Sequence, residues 1–346
     1  MTTLRLKRGF LLAVFCAFPL LAFSSCKDTQ PVRSAFTAMD TAITAKFYGA
    51  EAKQAAEHFQ TQIEDLDGLW SKTDPQSDIA RLNLYGTLPT GQLDLRTIAL
   101  LEKSSQLSRE TKNAFDPALG RLVSLWGIGT EKQQVPGEGE RQAVLERCGN
   151  ENLMITEDTV SLKNEIQLDL GGIAKGAATD EAVKALEQFS LDGYLLSLGG
   201  NVYVHGEKPD QSEWRVGISD PDGKADYLGY LAVSDCAVVT SGDYERFFIQ
   251  EGVRYHHILD RTTGAPSQSG LRSVTVVCKD AAKADAYSTA LFVMGAEKGM
   301  SFCEKEDTLD AVFVTDDHQI FLTDGLKECF SLTESERYQV MSEGPA

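Results

Sequence analysis

Positive charge is scarce in this sequence. Its 346 residues hold 33 Lys and Arg against 51 Asp and Glu, a formal charge of −18 with a pI of about 4.7. Such a surface repels nucleic acid and has no electrostatic pull toward anionic lipid, so no nucleic-acid partner is expected. An anionic substrate would need a local source of positive potential, such as a metal ion, helix N-termini or a few placed cations. Histidine is rarer still, with five copies. Paired cysteines are missing: of seven, Cys16 lies in the leader and Cys26 directly after it. The remaining five (Cys148, Cys236, Cys278, Cys303, Cys329) are scattered and odd in number. That pattern suggests neither a disulfide framework nor a zinc site, and they read as small buried hydrophobes. No internal repeat, low-complexity block, nucleophile elbow, P-loop or Rossmann glycine fingerprint is present.

The one long apolar run, over residues 10–23, is too short for a comfortable membrane span. It follows Arg5, Lys7 and Arg8 and leads through Ser24 and Ser25 to Cys26, the shape of a bacterial lipoprotein signal. On that reading residues 1–25 are removed, Cys26 carries lipid, and 26–34 form a polar tether. The protein would be exported and lipid-anchored to the inner membrane, facing the periplasm. An ordinary cleaved signal with an incidental Cys26 is the alternative. No linker divides residues 35–332, which read as one catalytic unit, with 333–346 a polar tail.

Apolar spacing predicts helices over 50–69, 95–107, 117–126 (Pro117 in its first turn), 141–147, 173–189 and 281–294, with a loop over 127–139. Strands are expected at 153–155, 160–162, 166–168, 194–198, 202–205, 214–218, 227–233, 237–239, 247–250, 255–259, 273–278, 311–314 and 319–322. Asp316, Asp317 and His318 mark a hairpin turn between the last two. Runs of strands punctuated by a few helices argue for an α+β fold around antiparallel sheet.

Four stretches could carry chemistry. Asp169-Leu170-Gly171-Gly172-Ile173-Ala174-Lys175-Gly176 is an apolar strand, a tight turn and a helix start. Its glycines allow close approach, and free N–H groups of the first turn favour an anion, with Lys175 nearby. Ordinary turn chemistry would look the same. In the second, 284–290, Asp285 and Thr289 share a helix face, with Ser288 beside them. One carboxylate plus hydroxyls is hard-oxygen ligation suited to Mg²⁺; hydroxyls bonded to backbone carbonyls near a helix start are the plainer account. In the third, 240–264, a strand would point Tyr255, His257 and Leu259 one way and His256, Ile258 and Asp260 the other. Only one histidine would then reach a given site, as a proton acceptor. In the fourth, Met39 and, further on, Phe115 between Ala114 and Asp116 could clamp a flat ring or simply pack in a core.

In order along the chain, residues 115–127, 169–176, 240–246, 254–264 and 284–290 together resemble the ApbE family of FAD:protein FMN transferases. The resemblance runs from about Met39 to Met294 and implies an α+β fold related to the tunnelling fold. It implies Mg²⁺ held by Asp285, Thr289 and a carbonyl at Gly172, with Ser288 a further ligand. It implies FAD contacts from Met39, Ala114, Phe115, Asp116, Asp169, Lys175, His257 and Ile258, and His257 as catalytic base. The implied reaction moves FMN from FAD to a Thr or Ser hydroxyl of an acceptor flavoprotein, releasing AMP. Hydrolysis of FAD to FMN and AMP, or flavin binding without catalysis, are the alternatives. Arg121 and Arg261 stand where the family often has Pro and read as tolerated on the surface. Thr73 stands where an aromatic ring is common, with Trp70 the nearest replacement.

Overall fold

The apolar runs at 237–239 and 311–314 lack the polar–apolar alternation of a half-exposed strand, and between them in the sheet 273–277 buries Ser273 and Thr275 as fully as its valines Val274 and Val276. The computed structural model, which describes residues 30–345, gives the reason: these strands lie inside a sheet covered on both faces. Nine strands form it, in the order β1 (Val32–Ala38), β2 (Thr41–Tyr48), β6 (Gly193–Leu198), β7 (Asn201–Gly206), β10 (Cys236–Gly242), β15 (Leu271–Cys278), β16 (Leu309–Thr315), β17 (Gln319–Leu322) and β19 (Gln339–Val340). Neighbours run antiparallel, except that β19 lies parallel to β17. Ala237, Val239, Val274, Val276, Ala311 and Phe313 face one core; Val238, Val277, Val312 and Val314 face another.

Helices α1 (Ala52–Trp70), α3 (Leu95–Glu110), α6 (Ala174–Leu186) and α7 (Ala281–Met294) roof the first core. A three-stranded sheet, β18 (Phe330–Leu332), β9 (Tyr227–Val233) and β8 (Trp214–Ser219), covers the second. A third, smaller core packs α4 (Gly120–Trp126) and α5 (Glu138–Leu145) against the hairpin of β11 (Phe247–Gln250) and β12 (Val253–His256). Helices α2 (Asp78–Tyr85) and α8 (Ala296–Cys303), the small sheet of β3 (Thr87–Pro89), β5 (Thr159–Leu162) and β4 (Leu153–Ile155), and the ribbon of β13 (Leu259–Asp260) and β14 (Ala265–Pro266) complete it. The fold is α+β, and α7 and β17 fall where the sequence puts them.

Several expectations are corrected. Residues 166–168 form no strand, because other groups satisfy their backbone: Leu168 exchanges two hydrogen bonds with the Asn83 amide (2.7 and 3.0 Å), and Gln167 O accepts the Gly120 N–H at 2.9 Å. Helix α4 starts at Gly120; Pro117 lies in the preceding turn, its carbonyl accepting the Asp169 N–H at 2.9 Å. The strand expected at 255–259 breaks at His257 and Ile258. Residues 32–34, assigned to the tether, open β1. The segment 333–346 is no free tail, since Tyr338 is 2% exposed with its hydroxyl 2.7 Å from Asp220, and β19 pairs with β17. The signal and Cys26 lie outside the described residues. Among those described, no helix is long and apolar enough to cross a membrane. The five cysteines within them are free; four are buried and Cys329 is half-buried.

Candidate active site

Helix α7 is buried nearly all round, not along one stripe. Asp285 within it is only 3% exposed, and a carboxylate so placed needs partners. Its Oδ2 accepts the Gly176 N–H at 2.9 Å, and Oδ1 lies 3.9 Å from Lys175 Nζ. Residue 176 has to be glycine for α6 to come this close, because a Cβ there would sit 2.2 Å from Ala281 O.

Thr289 is one turn beyond Asp285. A Cβ on Gly172 would lie 3.4 Å from Thr289 Oγ1 and 3.3 Å from the Phe115 ring. The Gly171–Gly172 turn, α7 and Phe115 therefore converge on a cradle that a side chain at 172 would fill. Ser241, near the end of β10, adds a hydroxyl 3.3 Å from Thr289 Oγ1 and 2.8 Å from Ser288 Oγ. Ser288 donates to Asp285 O at 2.8 Å and so stands one bond further back. The donors are all oxygens: one carboxylate, hydroxyls and turn carbonyls. That chemistry fits Mg²⁺ and suits zinc and other nitrogen- or sulfur-seeking metals poorly.

Cations ring this cradle in an otherwise acidic molecule. Asp169 Oδ1 accepts the Gly171 N–H at 2.9 Å and closes the turn, while Oδ2 pairs with Lys72. Burial opposes ionisation of Asp169, yet Lys72, the Gly171 N–H and Arg246 hold its carboxyl below the usual range. Lys175 Nζ also reaches Gly171 O at 3.3 Å.

His257 sits where β12 gives way to β13. Its N–H donates to Arg246 O at 3.0 Å, and its Nδ1 lies 3.3 Å from the same carbonyl. Burial first, then the charges of Arg246, His256 and Lys175, push the imidazole down to about 4. The ring is neutral at pH 7, and an Nδ1 proton directed at Arg246 O leaves Nε2 as the acceptor. His256 is turned away: its Nε2 is 3.0 Å from Ser267 O, and its ring meets Phe292 edge-on. One histidine serves the site, but not by strand alternation. Ile258 is in the main core, while Tyr255 and Leu259 belong to the third.

Sheet register adds the last part. Ile43 faces Leu198, Leu198 faces Asn201, Val202 faces Val238, and Ser241 faces Val274. The turns at Met39–Asp40 and Gly199–Gly200 and the Ser241 end of β10 thus share one end of the sheet.

The residues expected to contact the ligand differ in what they touch within the protein. Met39 and Ala114 are partly buried against the main core, and Phe115 reaches the cradle. The Asp116 carboxylate is fully covered; it accepts the Ala118 and Asn150 N–H groups at 2.8 and 3.2 Å, with Arg261 at 3.4 Å. Burial raises its carboxyl, and its side chain ties the loop together. The Ile258 side chain packs in the core, its carbonyl already bonded to the Ser267 N–H. Trp70 ends α1 buried in the same core and replaces no exposed ring. Arg261 is more than a tolerated surface residue, since it joins Asp116 to Glu151. Arg121 donates to Glu165 O. Sequence reasoning missed Lys72, Ser241, Arg246 and the role of Gly176. Two open surface cavities of about 490 and 550 Å³, lined by Tyr48 and Trp214 and by Arg121 and Leu125 among others, lie apart from the cluster. The converging donors and cations, not the depth of a cavity, mark the site.

A family model described as the ApbE family matches residues 39–313. The chain belongs to the ApbE family. The FAD:protein FMN transferase of Treponema pallidum is 35% identical over 301 residues, covering 82% of this chain and 83% of that one. Its counterpart in Klebsiella pneumoniae is 33% identical, covering 88% and 95%. Among solved structures, the flavinyl transferase ApbE of Pseudomonas stutzeri in its apo form superposes with a TM-score of 0.77 at 30% identity, over 87% of this chain and 97% of that one. The flavin transferase ApbE of Vibrio cholerae gives 0.74 at 28%, over 90% and 99%. The ApbE match begins at the Met39 turn and ends in β16, so it takes in every residue of the cradle.

Proposed function

We propose that this protein splits FAD at its pyrophosphate and transfers the FMN half to a Ser or Thr hydroxyl of an acceptor flavoprotein, releasing AMP. One observation carries the reading: Asp285, Thr289 and the Gly171–Gly172 turn, far apart in sequence, converge with Lys72, Lys175, Arg246 and His257 in an acidic protein. Mg²⁺ would be held by the Asp285 and Thr289 side chains and the Gly172 carbonyl, with Ser288 and Ser241 supporting them. Bound there, it would neutralise charge on the pyrophosphate as phosphorus is attacked. Lys72, Lys175 and Arg246 attract and orient the dinucleotide phosphates. The N-terminal end of α6, whose Gly176 N–H is given to Asp285, adds a partial positive charge. Phe115, with Met39 and Ala114, offers an apolar wall for a flat ring. His257 Nε2 accepts the proton of the acceptor hydroxyl. The acceptor oxygen bonds to the FMN phosphorus, and the bond to the bridging oxygen breaks, so AMP leaves with that oxygen.

The test incubates the mature protein with FAD and Mg²⁺, with and without acceptor. AMP, free FMN and gel-stable flavin fluorescence are then measured. Label on the acceptor with matching AMP supports transfer. AMP with free FMN alone indicates hydrolysis, and no AMP a flavin binder. Independently of turnover, Mn²⁺ binding followed by electron paramagnetic resonance should drop at least about tenfold in Asp285→Ala, the scale typical when a metal site loses a supporting group. Unchanged binding would rule out a metal site at Asp285. For location, we propose lipid attachment at Cys26, supported by the leader. Labelled palmitate should enter the wild-type chain and not Cys26→Ser; label in both chains would refute it.

A further inference from the structure

A transferase must bring a protein hydroxyl to His257. We infer that the β11–β12 hairpin receives the acceptor: an extended acceptor segment lies along it, with an apolar side chain about two to four residues from the target hydroxyl. This rests on the transfer reaction proposed above. The hairpin is rooted in the site itself. Strand β11 begins immediately after Arg246 and β12 ends immediately before His257, and the His257 N–H is bonded to Arg246 O at 3.0 Å. Large apolar side chains are concentrated on it. Of the nine that are exposed among the described residues, three are here: Phe247 at 37% and Ile249 at 63% share the outer face, and Val253 at 47%, opposite Gln250, lies on the Phe248–Tyr255 face at the tip.

Looseness does not explain this exposure. Phe248 stacks on Tyr255 at 5.3 Å, and Tyr255 lies against Trp126 at 5.6 Å, so the inner face is fixed on the third core. Arg254, bonded to Asp243 at 3.3 Å, lies 4.3 Å over the Phe247 ring and holds it in place. The two strands pair only with each other among the described residues, leaving two open edges. Open edges with apolar flanks are a liability in a protein that does not use them, and they are the usual receptor for an added strand. Spacing then sets the anchor. At about 3.3 Å per residue, Ile249 lies roughly 10 Å from the root at Arg246, a reach of about three residues along an acceptor strand.

The experiment uses the mature protein, FAD, Mg²⁺ and short synthetic peptides with one fixed Thr and randomised flanks. Flavin-labelled peptides are captured and sequenced by mass spectrometry. We expect several-fold enrichment of Leu, Ile, Val or Phe two to four positions from the Thr. Ile249→Glu should abolish that enrichment and raise KM for the best peptide about tenfold or more, the value of one buried aliphatic side chain. Ile249→Val should retain it, and melting temperature and FAD affinity report that both variants are folded. AMP release without labelled peptide, labelling without positional preference, or the same preference in Ile249→Glu would each overturn the assignment. So would sedimentation showing that the hairpin pairs two copies of this chain, with peptide preference untouched by Ile249→Glu. If neither AMP nor label forms with any acceptor, the transfer reading fails and this assignment falls with it.

Discussion

Gly176 does two jobs that only glycine can combine. It lets α6 touch the start of α7, and its N–H holds the carboxylate of Asp285. Gly176→Ala should therefore cost about 1–3 kcal/mol of stability, the usual range for overpacking, and weaken divalent-ion binding at the same time. Denaturant titration and calorimetric metal titration check the two effects; a loss of stability with unchanged ion affinity would separate them. His257 gives a pH prediction. Its folded value of about 4 lies below the ordinary value of 6.5, so the unfolded chain binds the extra proton first. The stability associated with this group is present above pH 6.5 and declines as pH falls toward 4. In the ligand-free protein, His257→Asn should flatten that part of the curve of melting temperature against pH, and a curve identical to wild type would show that the ring does not titrate this way. At this scale the sequence is readable where chemistry is periodic. Asp285 and Thr289 at i and i+4 and the double glycine before a helix are visible in the pattern, each beside an ordinary structural reading. Lys72 and Ser241 are not, since a lysine after a helix and a hydroxyl near a strand end carry no local mark. The partners of Asp116 are equally unmarked, because nothing local to an Asp before Pro announces the Asn150 N–H and Arg261 that its side chain meets.

Among elements, those with strong spacing are legible and those set by distant partners are not. Helix α7 and the β16–β17 hairpin follow from apolar pattern and turn chemistry. The β1–β2 hairpin is hidden, because Met39 and Asp40 both adopt positive φ (53° and 56°) without the glycine or asparagine that usually signals such a turn. The break at His257 is equally hidden. It exists because the His257 N–H turns to Arg246 O and Ile258 drops into the main core, both tertiary facts. That break matters for function, as it takes His257 out of a ladder and leaves its ring half-buried beside Arg246.

Across the whole molecule, a charged chain ties the far end of the sequence to the site. Asp220 accepts from Arg337 and the Tyr338 hydroxyl, each at 2.7 Å, and from the Lys224 and Ala225 N–H groups. Burial works against it, but these donors hold the Asp220 carboxyl far below the usual range. Next to it, Asp222 bonds Arg272, and Arg272 bonds Asp243, two residues from Ser241. Removing residues 334–346 strips Asp220 of Arg337 and Tyr338, and leaving such a buried charge unpaired costs about 3–5 kcal/mol. Chemical denaturation of the truncated protein should show at least that loss; a change under about 1 kcal/mol, the worth of a surface pair, would make the segment dispensable. The segment reads as a polar tail because its partners lie more than a hundred residues upstream.

The direction of β1 has a further consequence. Its last residue leads into the Met39 turn beside the cradle, so Val32 stands at the opposite pole of the sheet, roughly 20 Å away along the strand. The six residue steps from Cys26 to Val32 span at most about 20 Å. Lipid on Cys26, as proposed above, would hold the molecule by the end of the sheet opposite the Met39 turn. Acceptors would be met head-on from the aqueous side, not along the lipid surface.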